Sequence, residues 1–258
     1  MNEVMQVLMQ RKSVRAYTDE PIRAEVREAI LQAALRAPTA GNLMLYSILD
    51  ITDQAVKDHL AVTCDHQPFI ARAPPAWLFL ADYQRWHDAF LASGVEETCA
   101  QRGESMRRPA EGDLFLACSD ALIAAQNAVI AAESFGVGSC YIGDIMEQYE
   151  VHKELLGLPQ YVFPICMLVF GHPTQQQLDR EMTTRFDSKF IVFENRYRRL
   201  GKSEFEEMFA EREAARAKGH TADSVQNVGQ ATYLRKFDAD FTKEMTRSVK
   251  LMLQEWLK

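Results

Sequence analysis

The chain has 258 residues, 47% of them hydrophobic and 25% charged, with a formal net charge of -7 and a pI near 5.5. That length buries a sizeable core as one large domain or two small ones, and the acidic balance excludes a surface tuned throughout to nucleic acid. The opening MNEVMQVLMQRK carries an acid at position 3 and no secretory apolar run, and no stretch reads as reaching the roughly 18–20 apolar residues of a membrane span, so a cytoplasmic chain is expected.

The first element is a short helix in NEVMQVLMQ, from the spacing of Val4, Val7 and Leu8. The basic stretch RKSVRAYTDEPI follows at 11–22, with residues 11–17 extended. Alternate side chains of an extended segment share a face, which groups Arg11, Ser13 and Arg15 and turns Lys12 and Val14 the other way. A second helix runs through AEVREAILQAALRA, with Val26, Ile30, Leu31 and Ala34 as its stripe, and ends before Pro38. PTAGN at 38–42 is loop chemistry, and YSILDI at 46–51 is a strand. A helix in DQAVKDHLAV leads through CDHQPFIARAPPA to the strand AWLFLAD. Residues 100–112 read as a flexible surface connection.

SDALIAAQNAVIAAESFGVG then reads as the most apolar helix, capped by Ser119 and Asp120, stopped by Gly136 and lying at the centre of the fold. SCYIG and VFPICMLVFGHP supply two more strands. Beyond about residue 200 come charged helices, SEFEEMFAEREAARAKG and FTKEMTRSVKLMLQEWLK, separated by a gap of small polar residues. Met245, Val249, Met252, Leu253 and Trp256 stand at helical spacing in the last of these, suited to intrachain packing or to a clasp on a second subunit. This order points to an α+β sandwich rather than a regular βαβ fold. GVGSCYIG does not match the G-x-G-x-x-G dinucleotide fingerprint.

The five cysteines (Cys64, Cys99, Cys118, Cys140, Cys166) are odd in number, with no C-x-x-C pair, and read as reduced structural thiols. CDHQ at 64–67 lacks a second ligand pair at metal-site spacing, so no metal is expected. Two arginines and a serine on one extended face form a donor fork suited to a small phosphate monoester. A solvated basic strand edge is the alternative reading.

The succession RKSVRAYTDEPI, ILQAALRAPTAGNL, YIG, GLP, FGHP and RFDSKFIVFENRY resembles the nitroreductase family of FMN-dependent NAD(P)H oxidoreductases, in particular its larger members with a C-terminal extension. The resemblance implies a central, mostly antiparallel sheet surrounded by helices, an FMN-binding domain over 1–199 and a helical extension over 200–258. It further implies a homodimer with FMN at the subunit interface. Arg11 and Ser13, with Lys12 beside them, would hold the FMN phosphate, and Arg15 would reach the pyrimidine side of the ring. There a fixed cation stabilises the negative charge left by two-electron reduction. Thr39, Ala40, Gly41 and Asn42 match the loop that approaches the flavin, although Met44, Leu45 and Tyr46 stand where Gln, Pro and Trp are usual. Gln67 matches a contact to the ring edge, Tyr141, Ile142 and Gly143 a segment against the N5 region, and Arg185 a phosphate-site arginine. Thr183 replaces a usual lysine, for which Arg180 or Lys189 could compensate.

The implied reaction takes a hydride from NAD(P)H, with NADPH slightly favoured, and delivers it to a nitroaromatic, a quinone or free flavin. RYRRLGK at 196–202 and Arg235 with Lys236 could read a 2'-phosphate. No side chain need act as nucleophile. Two other readings are a flavin-binding storage or sensor protein without turnover, and a nucleic-acid or phosphopeptide binding module built on RKSVR, against which the net charge speaks.

Overall fold

The computed structural model describes residues 1–218 and 225–258, so the small polar gap expected beyond the helix at 203–219 lies partly outside the described residues. Its helices are α1 (Glu3–Gln10), α2 (Ala24–Leu35), α3 (Gln54–Thr63), α4 (Phe69–Arg72), α5 (Gln84–Ala92), α6 (Val95–Gln101), α7 (Glu111–Ser134), α8 (Tyr149–Leu156), α9 (Gln175–Asp179), α10 (Lys202–Lys218), α11 (Val228–Thr232) and α12 (Asp240–Trp256). Its strands are β1 (Tyr46–Ile51), β2 (Ala76–Asp82), β3 (Gly138–Ile142) and β4 (Val162–Gly171). The chain forms two compact units, Met1–Arg180 with Glu244–Lys258, and Glu181–Lys243.

The first unit is built on a sheet of order β1-β2-β4-β3, antiparallel throughout. All of β2 is buried, which is why AWLFLAD shows no polar alternation. The β2–β4 register shifts between Phe79 and Leu80, opposite the stretch of β4 that carries Pro164, a residue with no N–H for a ladder. One face of the sheet packs on α7 through Ala121, Ala124, Ala125, Ala128 and Ala132, whose small side chains admit Trp77, Phe79 and Phe170. The other face is covered through Leu60, Ile70, Ile142 and Ile145.

Two expectations are corrected here. The central helix starts at Glu111 rather than at Ser119 and Asp120, so part of the presumed 100–112 connection is helical, as are the uncalled α5 and α6. The carboxylate that accepts the first-turn amide is Asp113, from Ala110 N at 2.8 Å; Ser119 donates back to Phe115 O, and Asp120 serves a loop described below. By length and composition α7 is also apolar enough to cross a membrane, contrary to the expectation that no stretch is. The core helix of a water-soluble fold meets the same test, and here the alanine face lies on the sheet.

The end of the tail packs within its own unit. The Trp256 ring, 1% exposed, meets Tyr161 and Phe163 edge-on at 5.4 and 5.1 Å, and its Nε1 donates to Ala110 O at 3.1 Å. Glu244 and Ser248 of α12 accept from the amides of Gln148 and Tyr149, capping α8. In the second unit, Phe186 meets Phe209 edge-on beneath the Arg212 guanidinium, Lys189 pairs with Glu207, and Glu213 takes the Val228 amide.

Candidate functional site

Residues 11–17 lie across the end of the sheet in the extended form the sequence predicts. Val14 N donates to Ser139 O at 2.9 Å and Thr18 N to His172 O at 2.9 Å, and Ser13 bridges Ser139 in parallel. Two glycines paired in register, Gly138 and Gly171, make room for this. A Cβ on Gly138 would stand 2.4 Å from Val14 Cγ2, and one on Gly171 would stand 2.5 Å from Tyr17 Cδ1. Gly138→Ala should therefore lift the segment and destabilise the protein by about 1–3 kcal/mol. Thermal unfolding of the variant checks this, and an unchanged melting temperature would mean that the segment shifts without penalty.

Lys12 turns away from Arg11 and Arg15, as alternation requires, and its amine is spent on Leu178 O at 2.7 Å and on Arg180 O. Arg180 donates to Ser13 O at 2.6 Å. Arg11 and Arg15 take part in none of the ion pairs among the described residues. Arg15 is exposed, with its guanidinium 5.9 Å from the centre of the Phe69 ring. Three guanidiniums converge on the end of β3: burial pushes the Cys140 thiol up, while Arg15, Arg11 and Arg180 pull it down. Arg11 also pulls down the half-buried Glu133, which burial nonetheless raises to about 7.

The loop at 38–45 is held by a residue the sequence reading gave a different job. Asp120, 2% exposed, accepts from Thr39 Oγ1, from Ala40 N at 3.0 Å and from Leu45 N at 3.1 Å. Thr39 Oγ1 in turn accepts from Met44 N at 2.8 Å. Gly41, Asn42 and Met44 all have positive φ, at 57, 58 and 51°, a strained path for the two non-glycine residues that this network holds in place. No hydrogen bond among the described residues links the loop to Arg11, Ser13 or Arg15.

Gln67 follows two further left-handed residues, Asp65 and His66. Its Nε2 donates to Cys64 O at 2.9 Å and to Asp144 Oδ2 at 2.7 Å. Both amide hydrogens are thus used, and Oε1 is left to accept. Sequence reasoning left the polarity of Gln67 open because its partner lies 77 residues away. Asp144 directly follows Gly143, where a Cβ would meet nothing within 4 Å; the chain's own packing does not require that glycine. Ile142 is buried, and Tyr141 is half-buried with its hydroxyl donating to Gln126 at 3.2 Å. Burial pushes the Tyr141 phenol up. The fold therefore sets Arg11, Ser13, Arg15, Tyr141, Gly143 and Gln67 along β3 from its start to just past its end.

Arg185 belongs to the second unit, where it is exposed and donates to Thr183 Oγ1 at 2.7 Å and to the carbonyls of Thr183 and Thr184. In the same unit Arg198 pairs with Glu204 at 2.6 Å. Residues that the sequence reading missed are Asp144 and Glu147, whose carboxyls sit behind Gln67.

Comparison with known proteins places the chain in a family. Residues 8–172 match the family described as the nitroreductase family. The oxygen-insensitive NADPH nitroreductase of Salmonella typhimurium is 33% identical over 214 residues, 82% of each chain. Nitroreductase A of Vibrio parahaemolyticus superposes with a TM-score of 0.82 at 26% identity, covering 99% of this chain and 98% of that one. The NADPH:FMN oxidoreductase of Vibrio harveyi, solved in complex with NAD+, gives 0.79 at 25% identity and 98% coverage of both. With its antiparallel four-stranded sheet under a central helix, and these matches along most of its length, the chain belongs to the nitroreductase family.

Proposed function

We propose that the protein is an FMN-dependent NAD(P)H oxidoreductase that reduces small acceptors, namely nitroaromatics, quinones or free flavin, by two successive half-reactions at one site. The observation that carries this reading is a pair of guanidiniums, Arg11 and Arg15, outside every ion pair among the described residues, on one strand-like segment beside an amide, Gln67, with only its oxygen free. The donor set fits FMN: Arg11 and the Ser13 hydroxyl suit a phosphate, Arg15 the electron-rich pyrimidine edge, and Gln67 Oε1 the N3–H. Arg180 takes the supporting place that Thr183 leaves open, by fixing Ser13 O. Lys12 holds the 178–180 segment rather than a ligand.

When bound, FMN supplies the two-electron chemistry between nicotinamide and acceptor. The residues bind and orient it, and Arg15 holds positive charge where reduction leaves negative charge. NADPH is the favoured donor, as the names of several relatives include it. The proposed FMN-binding domain over 1–199 and helical extension over 200–258 follow the family resemblance; the compact units divide the chain differently, at Arg180 and Glu244. Five free cysteines suit a cytoplasmic setting. The working form is a homodimer with FMN at the interface, the 39–42 loop approaching the cofactor there. Phe115, Leu116, Leu122 and Ile123 form an exposed apolar face on α7, with Phe115 72% exposed, a surface that a second copy would cover.

The test is the visible spectrum of the protein reconstituted with FMN. Anaerobic NADPH, then NADH in a second sample, should bleach the band near roughly 450 nm, and a quinone should restore it. Bound flavin that neither nucleotide reduces would overturn the reductase reading.

A further inference from the structure

Behind Gln67 lie two carboxyls, the half-buried Asp144 and the buried Glu147, that the proposed reaction does not use. Asp144 and Glu147 bracket a 3-10 turn after β3, and Glu147 N donates to Asp144 O at 3.0 Å. This turn brings the two side chains to one side. Glu147 is 4% exposed, and its Oε1 has no partner among the described residues.

The groups that face Glu147 are mostly acids: Asp144 in its own turn, Asp65 from the loop after α3 and Glu244 from α12. The Cys64 thiol lies within reach of the same charges. His152 of α8 is held neutral by burial, with its ring nitrogens at 2.9 Å from Ile145 O and 2.8 Å from Thr63 Oγ1. Arg247 of α12 is committed to Glu150 and Glu244. Burial first, then Asp144 and the other acids, raises Glu147 to about 8. At neutral pH it carries a proton, and Asp144 is the acceptor beside it.

We propose that Glu147 and Asp144 are positioning residues for the flavin. The proton on Glu147 ties it to Asp144, and Asp144 fixes the Gln67 amide with its oxygen free for the flavin N3–H; loss of that proton to solvent sets a second negative charge behind the ring. The inference rests on the proposed function, since it takes Gln67 as the ring-edge contact. A second negative charge disfavours the reduced cofactor, so the potential of bound FMN should fall more steeply with pH once Glu147 ionises.

The sign for stability follows from the same shift. The folded state holds the Glu147 proton more tightly than the unfolded chain, whose ordinary value is 4.5. Its contribution is therefore complete below that value and is lost as the pH rises through about 8.

The test compares the wild type with Glu147→Gln, which keeps shape and a donor toward Asp144 but cannot ionise. Potentials of bound FMN are measured from about pH 6.5 to about pH 9.5, and urea unfolding of the apoproteins from about pH 4.5 to about pH 9. The wild type should show an extra downward break near pH 8 and a falling apoprotein stability, and Glu147→Gln should show neither. Asp144→Asn serves as a second variant if the first does not fold: it removes the like charge beside Glu147, so the break should move to lower pH. Parallel potential curves in all proteins that bind FMN would overturn the proposal. Failure of the wild type to bind FMN would overturn it together with the proposed function. The apoprotein curves then tell whether the buried proton itself exists.

Discussion

Asp120→Ala should lower stability by about 3–6 kcal/mol and should weaken FMN retention more than any other single change in α7. The reasoning is a count of donors. Thr39 Oγ1, Ala40 N and Leu45 N all converge on one buried carboxylate, and each donor left unpaired out of water costs about 1–3 kcal/mol. Without them, Asn42 and Met44 have no reason to keep their left-handed backbone, and Leu45, fully buried beside Tyr149 and Trp256, loses its anchor. Asp120→Asn, which retains one acceptor oxygen, should lose roughly half as much. Urea unfolding of the apoproteins reads the stability and FMN titration the retention. Near-wild-type stability in the alanine variant would show that the loop is held by its own turn geometry.

The same residue marks where the sequence was legible and where it was not. An acid beside a serine, followed by an alanine-rich run, has the chemistry of a helix cap, and nothing local shows that the helix began two turns earlier. That start depends on Asp113 reaching back to Ala110 N, a signal buried in GDLFLACSD. Strands β1, β2 and β4 were readable because a buried strand is a short apolar run. The extended course of residues 11–17, and with it the opposed fates of Lys12 and Arg11, followed from alternation alone.

What escaped were pairings between distant positions. Gln67 takes its polarity from Asp144, and Asp144 shares its corner with Glu147 through a turn that no propensity singles out. The left-handed residues Asp65, His66 and Gln148 that shape this corner are not glycines and carried no punctuation. Motif order fixed the family, whereas the orientation of each donor is a property of the folded site.

Arg11→Ala should weaken FMN binding by about 10- to 150-fold while leaving riboflavin affinity within about twofold of wild type. The contrast isolates the phosphate: the two ligands share the isoalloxazine and differ in the dianion that Arg11 is proposed to meet. Loss of a charge-assisted hydrogen bond is worth about 1.5–3 kcal/mol, which sets the range. Arg15→Ala should behave differently and weaken both ligands alike, because its proposed partner is the ring edge they have in common. Quenching of flavin fluorescence on titration into apoprotein reads all six affinities, and added salt should narrow the FMN to riboflavin difference in the wild type more than in Arg11→Ala. If Arg11→Ala weakened both flavins equally, the arginine would act through the fold, with Glu133 the first place to look, since Arg11 bears on that half-buried carboxyl. If it weakened neither, the basic segment would be a solvated strand edge, and the phosphate would have to be held elsewhere on the chain.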